Sequence, residues 1–265
     1  MEAIIIAILV GIGVGIVVGA LGAGGGILAV PALIYLLGQS PHGAATGSLV
    51  IVLATALTAL PGRIRKGNVR FKDGLVFAFV SMVGSFLGAK VAGQVSGDIL
   101  LTAFAIMITI MGIIMLRKGL LEAKRYKETQ AGLVAAAEEK LFRRGLPAIA
   151  LAALFTGFLT GFFGVGGGFI VVPMLTLVLG FNIREAAGTS LLIMILAAAS
   201  GLLSRWGQPV VVDWWVVFAF MAGSMSGSFI GGPLSQKAKP HMLTLIFAAL
   251  LGAVGVVTAV ALTLS

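Results

Sequence analysis

The sequence predicts an all-α polytopic membrane protein with two inverted-topology repeats of about five hydrophobic segments each, interrupted by glycine-broken half-helices. Hydrophobic residues make up 59% of the chain and charged residues only 10%, and the mean hydropathy of +1.14 excludes an ordinary soluble domain. One short sequence occurs twice: GAGGGILAVPAL at 22–33 and GVGGGFIVVPML at 164–175 are identical at seven of twelve positions. A duplicated glycine break in so apolar a chain is typical of membrane proteins built from two repeats.

Each half contains five apolar segments. They are residues 3–20, 26–38, 43–61, 74–93 and 99–116 in the first half, and 147–163, 168–180, 185–203, 213–233 and 241–262 in the second. The segments 26–38 and 168–180 reach only about 20 Å, against a hydrocarbon core of about 30 Å, so we interpret them as half-helices. We therefore divide the chain into a first transmembrane repeat (1–116), a cytoplasmic linker (117–146) and a second transmembrane repeat (147–265).

The positions of the basic residues favour the inverted arrangement. If the short segments cross the bilayer, 16 of the 18 Lys and Arg residues share one side, and only Lys90 and Arg205 lie on the other. If the short segments are re-entrant and do not cross, three of those 16 residues, Arg184, Lys237 and Lys239, lie outside instead. Because Lys and Arg accumulate in cytoplasmic loops, we prefer the first arrangement, with both termini outside. Loop 61–73 carries five basic residues and its counterpart only Arg205, as repeats of opposite orientation require.

The two glycine runs are the strongest candidates for a binding site. Three consecutive glycines cannot sustain a helix cheaply, and Pro31 and Pro173 remove a backbone donor early in the next helix. Unwound backbone at membrane depth must be buried in protein or line a wet cavity. The helices that restart near Ile27 and Phe169 present free N–H groups and a positive dipole end, which suit an anion. The alternative is that these glycines only permit close helix packing, as we expect for most other glycines here.

Polar residues near the breaks complete the candidate set. The span centres lack Lys, Arg, Asp and Glu, whereas cation pumps and proton relays normally place carboxylates there. His42 and Arg184 begin the third segment of each repeat; His42 is a candidate protonation switch, and Arg184 either guides an anion or pairs with Glu185 or a lipid headgroup. Asn182 offers an amide donor. The hydroxyl candidates, each of which could instead bond its own helix backbone, are Thr46, Ser48, Thr189 and Ser190.

Other functional classes have little support. The chain has no Cys and two His, so disulfides and thiol catalysis are excluded, and we expect no metal, haem or other cofactor. Neither a Ser–His–Asp set nor a carboxylate pair is present, so we do not expect an enzyme. The net charge of +9 lies in loops without interleaved aromatics, so we expect contacts with membrane lipids, not with nucleic acid.

At the duplicated GxGGGxxxVPxL pattern the chain resembles the TauE/SafE family, also called the sulfite exporter or TSUP family, over essentially its whole length. The resemblance implies a multi-pass secondary transporter of a prokaryotic inner membrane. It implies small sulfur-containing anions such as sulfite, thiosulfate, sulfoacetate or related organosulfonates as substrates. Our leading hypothesis is a carrier that works by alternating access, with proton coupling left open. The substrate-binding residues that it implies are Gly24, Gly25, Gly26, Pro31, Gly166, Gly167, Gly168 and Pro173.

Two further hypotheses stay open at this point. One is a passive anion channel, in which the broken helices line a continuous pore. The other is a membrane scaffold or lipid-binding protein without transport activity. Two equivalent broken helices with few charges suit a closed central site better than a charged-ring pore, and a scaffold has no reason to duplicate helix breaks.

Overall fold

The computed structural model describes residues 2–22, 25–130 and 146–264, and this part of the chain consists of helices and their short connections, without strands. The ten helices are α1 (Glu2–Leu21), α2 (Gly26–Leu36), α3 (Pro41–Arg65), α4 (Phe71–Ala92), α5 (Gly97–Gln130), α6 (Leu146–Phe163), α7 (Gly168–Leu177), α8 (Ile183–Arg205), α9 (Trp214–Lys237) and α10 (Pro240–Leu264). They match the ten predicted segments to within a few residues, except that α5 continues well into the predicted linker. The rest of that linker lies outside the described residues.

Seven of these helices are long and apolar enough to cross a membrane, whereas α2, α6 and α7 are shorter apolar helices. The polar residues between the spans define where the long helices begin. Ser40 caps α3 by accepting a hydrogen bond from the Gly43 N–H, and Asp213 caps α9 in the same way. The prediction of a multi-pass, all-α membrane protein is confirmed.

Small residues let each half pack against the other. A Cβ added to Gly15 of α1 would lie 2.0 Å from the Ser224 carbonyl oxygen of α9, and Gly161 of α6 faces the Ser85 carbonyl of α4 equally closely, at 1.9 Å. Interfaces of this kind bring membrane helices into backbone contact. The largest helix contacts form between repeats, where α1 packs on α9, α6 on α4, and α5 on α10.

The facing residues also fix the helix directions. Gly15 faces Ser224 and Gly19, one turn later, faces Ser228, so α1 and α9 run parallel. The same criterion shows that α3 runs parallel to α9, and that α4 runs parallel to α6 and α8. Arg205 at the end of α8 contacts Thr46 near the start of α3, so α8 and α3 are antiparallel. In α5, Gly112 faces Leu251 and Gly119 faces Leu245, so α5 and α10 are antiparallel too. Equivalent helices of the two halves therefore run in opposite directions, which agrees with the predicted inversion.

After each break, the chain returns along a neighbouring long helix. Arg63, at the end of α3, donates to the carbonyls of Gly19 and Ala20, so α1 ends beside the end of α3. From residue 25 to residue 40 the chain then returns along α3 to its start. In the second half, residues 164–182 lead the chain back along α8 in the same manner.

Candidate functional site

The two glycine breaks meet inside the protein. A Cβ on Gly26 would lie 1.9 Å from the carbonyl oxygen of Val165, so the start of α2 touches the chain just before α7. Gly25, Gly26 and residues 164–170 are all buried. Because α2 belongs to the first repeat and α7 to the second, this contact joins the two halves where each helix is interrupted.

The two half-helices start in the same way. The carbonyl of Gly25 accepts the first helical bonds of α2 from Leu28 and Ala29, and the Gly167 carbonyl does the same for α7. The N–H groups ahead of those bonds have no partner within their own helix and carry the positive end of its dipole. The anion site stays a prediction, and in the described conformation the Val165 backbone occupies the space beside Gly26.

A proline in each half-helix removes one further backbone hydrogen bond near the break. Pro31 and Pro173 lie inside α2 and α7, where each ring nitrogen cannot donate to the carbonyl four residues earlier. The carbonyls of Ile27 and Phe169 therefore lose their helical donor beside the break. In α2 the helix continues after Pro31 as a π-helical turn, Ala32–Leu36, whereas α7 stays α-helical.

Serines from α3 and α8 tie each break to the opposite repeat. The Ser190 hydroxyl donates to the Gly22 carbonyl at 2.7 Å, and the Ser48 hydroxyl donates to the Gly164 carbonyl. Both serines are fully buried. Gly22 and Gly164 have positive φ, +62° and +67°, which only glycine adopts without strain. Sequence analysis predicted these serines near the substrate but not their bonds across the repeat.

The threonines take different roles in the two repeats. The Thr46 hydroxyl donates to the His42 carbonyl and lies 3.4 Å from Nη1 of Arg205, which donates to it. The Thr189 hydroxyl instead accepts a hydrogen bond from the backbone N–H of Arg70. The structure therefore places Thr46 beside one buried cation and Thr189 at the start of α4.

The two equivalent residues His42 and Arg184 lie at opposite ends of the bundle. His42 Nε2 lies 3.1 Å from the Ala92 carbonyl at the end of α4, and Arg184 Nη2 donates to the Ala238 carbonyl after α9 at 2.9 Å. His42 therefore joins the start of α3 to the end of α4, and Arg184 joins the start of α8 to the end of α9. Asn182 is the N-cap of α8 and forms a capping box with Glu185. Gly24 lies outside the described residues.

Two buried arginines are the main residues that sequence analysis did not propose. Arg63 and Arg205 are 2% and 4% exposed, and neither forms an ion pair within the described part of the chain. Arg205 Nη2 donates to the Gly161 carbonyl at 2.9 Å, as Arg63 does to that of Gly19. Each guanidinium thus neutralises the negative end of the helix before a break. Arg63 and Arg205 are 142 positions apart, as are the two glycine runs, and this equivalence in the repeats was the signal in the sequence that could have identified them.

Both arginines retain donors that nothing in the described residues accepts. For Arg63 these are Nε and Nη1, and for Arg205 the Nε group. A buried cation with unfilled donors is costly unless an anion or a helix end compensates it. Near the first break, Thr55 and Ser224 add a buried hydroxyl pair, 2.9 Å apart, that sequence analysis also missed.

The chain resembles one protein family over nearly its whole length. The model of the family described as "Sulfite exporter TauE/SafE" matches residues 7–258. The chain belongs to the TauE/SafE sulfite exporter family. It is therefore a membrane transporter, as the duplicated glycine pattern predicted.

Curated relatives from distant organisms agree with the family. A "Probable membrane transporter protein" of Xylella fastidiosa (strain 9a5c) is 33% identical over 248 residues, covering 92% of this chain and 90% of the relative. The "Probable membrane transporter protein YunE" of Bacillus subtilis (strain 168) is 27% identical, with 95% of both chains covered. The "Probable membrane transporter protein YfcA" of Escherichia coli (strain K12) is 28% identical, with 85% and 80% covered. No solved structure matches the chain.

Proposed function

We propose that this TauE/SafE protein is a secondary carrier of small sulfur-containing oxyanions, such as sulfite, thiosulfate, sulfoacetate or a related organosulfonate. The meeting of the two broken helices at Gly26 and Val165 is the observation that carries the proposal. It brings two positive helix starts together, and a sulfur oxyanion offers several acceptor oxygens to their N–H donors.

The arrangement supports weak, reversible binding of an anion. Helix ends are each worth about 0.3–1 kcal/mol at exposed sites and up to about 2 kcal/mol when partly buried. Ser48, Ser190 and Thr46 lie near the breaks, and each hydroxyl donates to an anion by rotating its single O–H away from the carbonyl that it now bonds. Such a site releases its ligand readily, which a carrier requires.

The contact between the breaks favours a carrier over a passive channel. With the Gly26 backbone against that of Val165, an anion reaches the helix starts only if the two breaks separate. The two halves run in opposite directions, and inverted repeats exchange their conformations to expose a central site on alternate sides. We therefore propose alternating access, with the basic loops on the cytoplasmic side.

Uptake by proteoliposomes tests this proposal. We expect saturable uptake of radiolabelled sulfite or sulfoacetate, accelerated when the vesicles are preloaded with the unlabelled anion. A channel gives uptake without that acceleration. Imposed pH gradients of both signs, with a protonophore as control, determine whether protons are coupled. Uptake of neither anion above that of empty vesicles would contradict the proposal.

A further inference from the structure

A water-accessible cavity opens at one end of the bundle. Its volume is about 610 Å³, and it lies between the start of α3, the end of α4 and the chain after α8. The lining residues are Ser40, His42, Lys90, Gly93, Gln94, Gln208, Pro209, Val210 and Val211. We call this cavity the vestibule.

The vestibule presents positive charge and N–H donors. Lys90 is the one Lys, Arg, Asp or Glu among its nine lining residues, and its ammonium group lies 5.8 Å from the centre of the Phe86 ring. Gln94 and Gln208 add two amide side chains, and Gln208 lies against Gly93. A cavity with one cation, several donors and no acid among its lining residues suits a small anion.

A chain of polar contacts leads from the vestibule to the second break. His42 lines the cavity, its carbonyl accepts from the Thr46 hydroxyl, and Thr46 accepts from Arg205. Arg205 then donates to the carbonyls of Gly161 and Phe162, at the end of α6. Arg205 is 96% buried, and its Nε has no acceptor among the described residues. A buried cation with a free N–H donor therefore lies at the inner end of this chain of contacts.

We infer that the vestibule is a docking site for a small oxyanion, in which Lys90 attracts the anion and Arg205 receives it on the way to the second break. The inference rests on the proposed function and deepens it, because it names the residues through which the anion enters from one end. The vestibule end carries only two of the Lys and Arg residues that the structure describes, Lys90 and Arg205. Glu2, Asp98 and Asp213 lie at the same end but do not line the cavity, so Lys90 is the one charged side chain that an anion meets inside it.

The first test measures the concentration dependence of uptake by proteoliposomes. Replacing Lys90 with Gln should raise the half-saturating concentration of sulfoacetate about threefold to tenfold and leave the maximal rate unchanged, because one partly screened charge is lost. Lys90→Arg should restore the wild-type value. Lys72→Gln, an exposed lysine at the other end of the bundle, is the matched control and should change neither parameter.

The second test measures occupancy directly and without transport. The chain has no cysteine, so Gln94→Cys can be labelled alone with a membrane-impermeant maleimide. Sulfoacetate should slow this labelling at constant ionic strength set with chloride, and Lys90→Gln should abolish the protection. Labelling of Lys72→Cys should not respond.

The outcomes separate the two proposals. If wild-type protein transports sulfoacetate but Lys90→Gln changes neither the half-saturating concentration nor the protection, the vestibule inference is wrong and the carrier proposal stands. If protection occurs but no sulfur anion is transported, the docking site is supported and the carrier proposal fails.

Discussion

The two ends of the bundle are related by the repeat but differ in their chemistry. At the start of α8, Glu185 lies 3.2 Å from Arg70, whose guanidinium also lies over the Phe181 ring at 4.7 Å. At the start of α3, the position equivalent to Glu185 is Gly43, which lies against the Val211 backbone beside the vestibule. One end is therefore tied by an ion pair between the repeats, whereas the other holds an open cavity.

Some structural features are shared by the two repeats, and others are specific to one end of the bundle. The glycine breaks, the serine ties and the buried arginines occur in both repeats and form a common framework. The groups at the starts of α3 and α8 differ, so under the proposed alternating access they distinguish the two openings. Changes to the framework should affect transport from either side, and changes at one end should shift the balance between the two openings.

The largest expected effect concerns the sides of the membrane on which the ends lie. Val211→Cys, in the loop after α8, and Lys66→Cys, in the loop after α3, are both exposed and should be labelled by an impermeant maleimide from opposite sides. We expect all-or-none sidedness in intact cells compared with inverted vesicles. Labelling of both positions from one side would refute the inversion of the repeats.

The next largest effect concerns the contact between the breaks. Gly26→Ala should lower the transport rate about tenfold or more, because the added Cβ meets the Val165 backbone, which cannot move aside as a side chain can. Gly25→Ala should be milder, since its nearest neighbours are side-chain methyls of Val18 and Val14. Gly13→Ala, with open space around the added atom, is the matched control. Normal transport by Gly26→Ala would show that the glycines at the break only permit close helix packing.

The serine ties should contribute equally in the two repeats. Ser48→Ala and Ser190→Ala each leave a buried carbonyl of the opposite break without its side-chain donor, so each should lower the free energy of unfolding by about 1–3 kcal/mol. Thermal unfolding of the purified protein measures the change. Ser226→Ala, an exposed serine that bonds only its own helix, should have little effect. If only one of the two substitutions lowers the stability, the serine hydrogen bonds do not have the same role in the two repeats.

Much of the fold could be predicted from the sequence because membrane helices are defined locally. Apolar runs locate the spans, and glycines such as Gly15 mark the close interfaces. Asn182, predicted as an amide donor, instead caps α8. The repeat and the bias of the basic loops predict the opposed directions of the halves.

The contacts at the breaks could not be predicted in the same way. The bonds of Ser48 and Ser190 join residues more than 100 positions apart, and only the fold brings them together. Arg63 and Arg205 were assigned to loops because charge at the edge of a span normally faces water. Their burial depends on carbonyls at the ends of α1 and α6, which become available only because those helices stop at the breaks.

The most direct test of alternating access is to weaken the ion pair and measure the accessibility of both ends. Arg70 and Glu185 are partly exposed, so their pair is worth about 0.3–1 kcal/mol, and Glu185→Gln should change the populations about twofold to fivefold. In that background, maleimide labelling of Asn68→Cys, beside the start of α8, should speed up, while labelling of Gln94→Cys in the vestibule should slow down by a similar factor. If labelling speeds up at both ends together, or if only the Asn68 end responds, the two openings are not alternatives of one carrier, and the account is wrong.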